Sequence, residues 1–191
     1  MPLIYPPAED SFLLAKFAGK ICRKILLKNK NAKVLDIGTG SGIQAITALN
    51  SGISRENILA VDINPEAVKF VKRKGINAKI SDLFSSVSGK FDLIVFNPPY
   101  LPADKRDKEK DTSGGKKGDE TIIRFLRGVR KYLANDGKML ILLSSLTPKR
   151  RILAEIRKQK LNYKKIGCQR LFFEELYVWL FYSCKKSSKS L

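Results

Sequence analysis

The residues best suited to chemistry are Asn97-Pro98-Pro99-Tyr100, which follow the apolar run Phe91–Phe96. The run has the character of a buried strand, but two prolines cannot continue a sheet, because neither has an N–H to donate and each fixes its own φ. Asn97 precedes a proline and is therefore displaced from the helical region. These four residues, called the elbow below, are predicted to form a rigid turn. The turn presents one side-chain amide and one phenol ring.

The elbow suits a planar NH₂ group. The Asn97 side-chain oxygen and the Pro98 carbonyl can both accept hydrogen bonds from such a group, while Tyr100 packs on its face. The nitrogen of an NH₂ group conjugated to a carbonyl or a ring is a weak nucleophile, because its lone pair is delocalised. Two acceptors on its hydrogens raise its electron density and aim the lone pair at an activated methyl group. Orientation and fixed dipoles then carry the rate.

The chain contains no histidine. This removes imidazole general bases, Ser-His and Cys-His nucleophile pairs and nearly all catalytic zinc sites. Methyl transfer from an activated donor needs no metal, no covalent enzyme intermediate and no strong base. The composition therefore agrees with the chemistry predicted for the elbow, and we expect no metal in the site.

A glycine-rich turn, residues 38–42, lies between a predicted strand and a predicted helix, with Asp36 just before it. Glycines such as Gly38 and Gly40 permit positive φ and let the backbone approach a ligand. A dinucleotide fingerprint is excluded, because its third glycine position falls on Ile43 and Asp36 would repel a pyrophosphate. A carboxylate here suits a cationic ligand, such as the amino group or sulfonium of S-adenosylmethionine.

Two more acids follow the next two predicted strands. Asp62 ends the second strand, next to the first, and is placed to accept from a pair of ribose hydroxyls. Asp82 follows the third strand and is placed to meet an adenine amino group. Each Asp alone could be a helix cap or a turn residue. Three acids after three successive strands, with the glycine turn between them, indicate a nucleoside-containing ligand.

The elements that must position these residues alternate along the chain. Apolar spacing and turn residues predict helices at 8–29, 43–50, 65–74, 120–134 and 148–160, the fourth of them capped by Asp119. Strands are predicted at 33–37, 58–61, 78–80, 91–96 and 138–144, with two more at 163–168 and 177–183. The polar segment 101–118 is typical of a functional lid or a disordered loop.

This order predicts an α/β fold. It is a doubly wound, seven-stranded, mostly parallel sheet that ends in an antiparallel C-terminal hairpin. We expect one domain over residues 1–184, with the N-terminal helix 8–29 included, and a disordered basic tail over 185–191.

The motifs resemble those of class I S-adenosylmethionine-dependent methyltransferases. They are most similar to the HemK/PrmC-like glutamine-N5 methyltransferases of translation release factors, in their short archaeal and eukaryotic form. The resemblance is carried by residues 7–14 (Pro-Ala-Glu-Asp-Ser-Phe-Leu-Leu), 34–42, 60–64 and the elbow, with a further glycine cluster at 114–118. It spans roughly residues 5–184.

The resemblance implies the Rossmann-like sheet of class I methyltransferases and S-adenosylmethionine as the methyl donor. The donor contacts it implies are Ser11, Asp36, Gly38, Gly40, Asp62, Asp82, Leu83 and Asn97. The elbow, Asn97, Pro98, Pro99 and Tyr100, would hold the glutamine of a Gly-Gly-Gln motif in a class I release factor. We expect the chain to lack the N-terminal helical domain of the larger bacterial members, and short members often need a small zinc-binding activator subunit. A partner protein is therefore implied.

Charge and composition indicate which partners and which cellular compartment to expect. With 37 Lys and Arg against 18 acids the formal charge is +19, which suggests work near RNA, the ribosome or another polyanion, or else a Lys-rich proteome with solvated basic faces. No run of about 18 apolar residues predicts a membrane span. Without a signal peptide and with three widely spaced cysteines, which we expect to be reduced and buried, the chain is predicted to be cytoplasmic.

Alternatives remain open. The same elbow would serve the N2 of guanine in RNA or the N6 of adenine in DNA, although DNA enzymes must flip the base and usually carry a target-reading domain. Protein lysine is a further target, but its amine is tetrahedral and must first lose a proton. A donor-binding interaction subunit without activity is the third reading, and the intact Asn97, Pro98 and Tyr100 argue against it.

Overall fold

The computed structural model describes residues 4–100 and 118–183. Within them a seven-stranded sheet runs in the order β3-β2-β1-β4-β5-β7-β6. Its strands are β1 Val34–Ile37, β2 Ile58–Asp62, β3 Asn77–Ile80, β4 Phe91–Phe96, β5 Leu133–Ser144, β6 Leu161–Arg170 and β7 Glu175–Ser183. The helices are α1 Glu9–Leu26, α2 Ile43–Asn50, α3 Pro65–Arg73, α4 Glu120–Val129 and α5 Lys149–Lys158, with a 3₁₀ turn at Arg55–Asn57.

The predicted fold class is confirmed. Strands β1 to β5 pair in parallel, and β7 pairs antiparallel with both β5 and β6, which makes the C-terminal hairpin. In the register, Ile37 of β1 lies opposite both Val61 of β2 and Phe96 of β4. The residues that follow these three are Gly38, Asp62 and Asn97. Pairing alone therefore brings the glycine turn, the second acid and the elbow to one edge of the sheet.

Apolar clusters cover both faces of the sheet. Helices α1 to α3 pack on one face, where alternate strand residues such as Val34, Ala60 and Val95 point. Helices α4 and α5 pack on the other face against Leu35, Val61 and their neighbours. The central strands are buried on both faces, which explains why each reads as a continuous apolar run.

The connection between α4 and β5 differs from the prediction. The helix predicted to run to residue 134 ends at Val129, and Leu133 opens β5 instead of extending the apolar face of α4. The Tyr132 carbonyl accepts from the Phe91 N–H at 2.8 Å, so pairing with β4 replaces the last helical turn. The turn at 135–137 is a bulge within β5, where a Cβ on Gly137 would lie 2.8 Å from the Phe91 carbonyl oxygen.

Asp119 does not cap α4 through its side chain. Its buried carboxylate accepts a hydrogen bond from Arg151 Nη1 at 2.8 Å instead, which ties the start of α4 to α5. A local capping rule missed this, because an ion-pair partner on another helix competes for the same oxygen.

Several smaller expectations can be placed. Cys22 is buried as expected, but Cys168 is exposed, because it lies on the outward-facing side of the edge strand β6. Most of the predicted lid and the basic tail fall at 101–117 and 184–191, outside the described residues. Among the described helices, none combines the length and the apolar character needed to cross a bilayer. The extent of the domain stays a prediction.

Candidate active site

A cavity of about 360 Å³ opens at the carboxyl edge of the sheet. Its wall is built from the start of α1, the glycine turn, the ends of β2 and β3, the elbow and α4. Ten of the eleven predicted site residues line it: Ser11, Gly38, Gly40, Asp62, Asp82, Leu83, Asn97, Pro98, Pro99 and Tyr100. The fold therefore brings together residues that are far apart in the sequence, and the exception is Asp36.

The glycine turn is held against the end of β2. The Thr39 N–H donates to the Val61 carbonyl at 3.0 Å, and the Gly40 N–H donates to Asp62 Oδ2 at 2.8 Å. Gly38 and Gly40 have φ of +61° and +50°, a region that favours glycine. Glycine adopts this path without the strain that a side chain would add, and the backbone of the turn forms one wall of the cavity.

Asp36 lies behind the turn, not in the cavity wall. Its side chain is 1% exposed, and Oδ2 accepts from Thr39 Oγ1 at 2.7 Å and from the Ala45 N–H at 3.1 Å. Burial raises the pKa of this carboxyl to about 7, against the lowering effect of those two hydrogen bonds. The observed contacts of Asp36 brace the turn and the start of α2, and its contact with the methyl donor stays a prediction.

Asp62 and Asp82 both line the cavity but differ in their surroundings. Asp62 is buried, and its two oxygens accept from the backbone N–H groups of Gly40 and Asn64 at 2.8 and 2.9 Å. Asp82 is about half exposed and pairs with Arg124 Nη2 of α4 at 2.7 Å. Asp62 is thus a fixed carboxylate, whereas Asp82 sits at the mouth in an exposed ion pair of the kind that contributes little stability.

Leu83 has a left-handed backbone with φ of +51°, which is rare for a residue with a side chain. The Ser81 hydroxyl holds this turn, because it donates to the Leu83 carbonyl at 2.9 Å and accepts from the Ser86 N–H at 2.9 Å. Strained backbone that its surroundings maintain is characteristic of ligand sites.

The elbow presents an oriented amide. Asn97 Nδ2 donates to Asp10 Oδ2 at 3.0 Å and lies 3.5 Å from Ser11 Oγ. A carboxylate only accepts hydrogen bonds, so this contact fixes which end of the amide is NH₂. The Asn97 Oδ1 atom is shielded from water and has no hydrogen-bond partner among the described residues. An acceptor left unpaired in this way favours an incoming N–H, because no competing partner must be displaced.

Asp10, in the first turn of α1, belongs to the segment 7–14 that carries the resemblance, but no role in the site was predicted for it. It is 5% exposed and accepts from Asn97, from the Ser11 N–H and Oγ, and from the Tyr5 hydroxyl at 3.3 Å. Burial and the neighbouring Asp10 raise the pKa of Tyr5 to about 12, and the same two causes raise the pKa of Tyr100. Both phenols therefore stay neutral at physiological pH and can act as packing surfaces and hydrogen-bonding groups.

Sequence reasoning also missed Gln44 and Arg124 as cavity residues. Gln44, in the first turn of α2, is 4% exposed and donates from Nε2 to the Ser11 carbonyl at 3.0 Å, while its Oε1 has no partner among the described side chains. It could have been suspected from its place directly after the glycine turn. Arg124 carried no comparable signal, because its contact with Asp82 arises only from the packing of α4.

No group of three or more acids or cysteines in the described residues is arranged to hold a metal ion.

Residues 17–166 match the family described as methyltransferase small domain. The chain belongs to this family. The prediction of a methyltransferase is thereby confirmed, and the cavity at the carboxyl edge of the sheet is its candidate active site.

Individual relatives agree with the family. A Methanocaldococcus jannaschii protein, provisionally named a protein N5-glutamine methyltransferase, is 38% identical over 93% of this chain and 90% of its own. A Koribacter versatilis release factor glutamine methyltransferase is 35% identical over 57% of this chain but only 45% of its own length. The resemblance to glutamine methyltransferases is thus confirmed, and the segment matched to the bacterial enzyme is less than half of that protein.

The solved E. cuniculi Mtq2–Trm112 complex, described as responsible for methylation of the eRF1 translation termination factor, gives a structural match. Its matched chain superimposes with a TM-score of 0.72 and 25% identity, over 96% of this chain and 100% of its own.

The cavity fits an adenosine-containing methyl donor. Its volume of about 360 Å³ lies in the usual range for small-molecule sites. The backbone of Gly38 and Gly40 would permit close approach of such a donor, Asp62 would offer it a buried acceptor, and Leu83 would offer it an apolar surface. The elbow and the glycine turn follow neighbouring strands, so a group held by one would lie next to a group held by the other.

Proposed function

We propose that this chain transfers the methyl group of S-adenosylmethionine to the side-chain nitrogen (N5) of the glutamine in the Gly-Gly-Gln motif of a class I translation release factor. The observation that carries the proposal is the Asn97 amide, whose NH₂ is engaged by Asp10 and whose Oδ1 is unpaired. A side chain held in this way offers one acceptor in a fixed direction, which suits a planar amide donor.

Each half of the cavity has one task. The glycine turn, Asp62 and Leu83 would hold S-adenosylmethionine, which supplies an electrophilic methyl group bonded to a sulfonium. Asn97 Oδ1 and the Pro98 carbonyl accept from the two hydrogens of the substrate amide and leave the nitrogen lone pair facing that methyl group. The neutral Tyr100 ring packs on the amide plane. One N–C bond forms as one S–C bond breaks, and the nitrogen releases one proton to solvent.

The names of the relatives support glutamine as the target. The M. jannaschii and K. versatilis proteins are both named for glutamine methylation, and the E. cuniculi complex is described as acting on a termination factor. That complex also contains Trm112, which supports a small partner subunit for this chain. We propose such a partner, of the zinc-binding activator type that the sequence resemblance implied. The +19 charge supports work close to RNA or the ribosome.

The test is transfer of labelled methyl groups from S-adenosylmethionine. The protein is purified from cells with any co-purified subunit retained, and is offered a release factor, its Gly-Gly-Ala variant, or RNA and DNA. We expect label on the native factor and none on the variant. Label on the nucleic acids, or equal label on both forms of the factor, would contradict glutamine as the target.

A second measurement tests the partner. Mass spectrometry of the purified material identifies any stoichiometric small protein, and activity is compared before and after its removal. We expect activity to fall at least tenfold without it. A chain that is fully active alone would contradict the proposed partner without affecting the proposed reaction.

A further inference from the structure

The tip of the β6–β7 hairpin carries two adjacent phenylalanines in open solvent. Phe172 is 93% exposed and Phe173 is 85% exposed, and their rings meet edge to face with centroids 4.6 Å apart. Single exposed apolar side chains are ordinary, but a contiguous pair of large rings is not. Neither residue has the positive φ that the favoured two-residue hairpin turns require, so turn formation does not explain them.

The tip is anchored rather than loose. The Leu171 N–H donates to the Glu174 carbonyl at 2.8 Å across the turn. The Glu174 carboxylate accepts from the Ser144 hydroxyl, and Ser145 exchanges hydrogen bonds with Glu175 at 2.8 and 3.0 Å. The two rings are therefore held out by a fixed support at the end of β5, which lowers the entropy cost of binding through them.

The tip lies at the edge of the sheet that carries the active site. Leu176 at the start of β7 pairs with Ser144 at the end of β5, and β5 is the parallel neighbour of β4, which leads into the elbow. Strand β7 is two strands from β4, so these two strands lie roughly 10 Å apart across the sheet. The Glu174 charge contributes to the raised pKa of both Tyr100 and Tyr5, which agrees with this proximity.

The surroundings of the tip are apolar and basic. Leu146, 52% exposed, lies in the loop after β5 that is bonded to the hairpin. Lys149 and Lys165 each place Nζ 4.6 Å from the centroid of the Tyr177 ring, and Arg170 has an 84% exposed side chain. The two acids at this border both have partners, since Glu174 accepts from the Ser144 hydroxyl and Glu175 accepts from Arg170 and Tyr177. The border thus carries an excess of positive charge around the exposed rings.

We infer that Phe172 and Phe173 form a docking site for the protein that carries the target glutamine. The two rings contact an apolar patch of that protein, which is flanked by acidic side chains and lies beside the loop that is methylated. The inference rests on the proposed function, since it names the surface by which that substrate is recognised. The elbow contacts only the side-chain amide, which is the same in every glutamine. A second contact at the same edge of the sheet supplies the selectivity that the elbow cannot.

The test compares the double variant Phe172→Ser/Phe173→Ser with Leu27→Ser. Leu27 is a matched control, because it is 81% exposed but lies at the far end of α1, whose 18 residues place it about 27 Å from the cavity. We expect the double variant to raise the KM for the release factor about ten- to hundredfold, as loss of an aromatic hot spot does. Its kcat, its affinity for S-adenosylmethionine and its melting temperature should stay unchanged, and the Leu27 control should match the wild type throughout.

The charged border gives a second measurement. The wild-type KM for the release factor should rise with salt concentration, because basic and acidic groups at an interface rim are screened. A KM independent of salt would contradict the acidic side chains inferred on the substrate protein.

Each remaining outcome decides a separate point. Wild-type transfer to the release factor with an unchanged KM in the double variant contradicts the docking site alone. No wild-type transfer to the release factor contradicts the proposed function and the docking site with it. A dimeric wild type that becomes monomeric in the double variant, measured by light scattering, would make the rings a self-association surface and overturn the inference.

Discussion

The two halves of the cavity treat their polar groups in opposite ways. On the side of β1 and β2, Asp62 in the cavity wall and Asp36 behind it accept hydrogen bonds from the loops that they support. On the side of β4, Asn97 is held firmly by its NH₂ while its oxygen has no partner within the described residues. One half is braced by internal bonds, and the other keeps an acceptor unpaired.

The contrast teaches how a site without a histidine can act. A donor that arrives already activated needs only to be held. The half beside β1 and β2, which we propose holds the donor and call the donor half, can therefore satisfy its polar groups and gain stability from them. The other half, beside β4, is called the acceptor half, and it must bind an amide that is a poor nucleophile. An unpaired buried oxygen is most effective there because it is already desolvated. We expect substitutions in the two halves to separate binding and stability from the methyl-transfer step.

The largest effect is expected for Asn97→Ala. Removal of the unpaired acceptor should lower kcat by about a thousandfold or more, comparable to the loss of a strong electrostatic contact in a transition state. Binding of S-adenosylmethionine should largely survive. Single-turnover transfer and calorimetric titration of the donor measure the two quantities separately.

The companion variant Asp62→Ala should show the reverse pattern. Without its carboxylate the Gly40 and Asn64 N–H groups lose their acceptor, and donor affinity should fall about tenfold or more. Equal loss of donor binding in both variants would mean that Asn97 belongs to the donor half.

A smaller but still large effect is expected for Asp10→Asn. The new side chain can offer an NH₂ to Asn97, so the Asn97 amide can flip and exchange its Oδ1 and Nδ2 atoms. The position of the Oδ1 acceptor is then no longer fixed. We expect kcat to fall about ten- to hundredfold with donor affinity unchanged. Glu9→Gln is the matched control, because Glu9 is the exposed acid of the same helical turn. Equal effects in both variants would show that helix-end charge, not the contact with Asn97, is what matters.

The sequence was informative where local signals and pairing agree. Strand β4 and helix α2 have the predicted bounds, because an apolar run ends at prolines in one case and a glycine turn precedes a periodic segment in the other. The parallel order then places the ends of β1, β2 and β4 together, so most of the cavity wall follows from sequence.

What the sequence could not supply were contacts between distant segments. Leu133 continues the apolar spacing of α4, yet pairing of Tyr132 with Phe91 takes it into β5. Asp10 and Asn97 are 87 positions apart, and nothing in either local pattern indicates that they meet. Asp119 likewise bonds to Arg151 rather than to its own helix.

In the donor half, Asp36→Asn should change stability and its pH dependence rather than chemistry. The pKa of Asp36 is about 7 in the folded chain because of burial, against about 3.9 when unfolded. Between these values the folded state binds more protons, so the free energy of unfolding should fall as pH rises from about 4 to 7, by on the order of 1–3 kcal/mol from this group. Urea unfolding of wild type and variant at pH 5 and pH 8 measures it.

The asparagine side chain of this variant can still accept from Thr39 and Ala45 but does not ionise. The difference in stability between pH 5 and pH 8 should therefore be smaller in the variant, and kcat should change less than about threefold. An identical pH dependence in both proteins would mean that Asp36 ionises without a burial penalty.

The smallest effect is expected for Gln44→Met, at the point where the contrast is least clean. Gln44 belongs to the donor half, yet its Oε1 is buried without a partner among the described residues. Methionine loses the hydrogen bond to the Ser11 carbonyl but also removes the unpaired acceptor, and these two contributions oppose one another. We expect the free energy of unfolding to change by less than about 1 kcal/mol, measured by urea titration. A clear loss of donor affinity at unchanged stability would instead indicate that Gln44 Oε1, like Asn97 Oδ1, is an acceptor kept unpaired for a ligand.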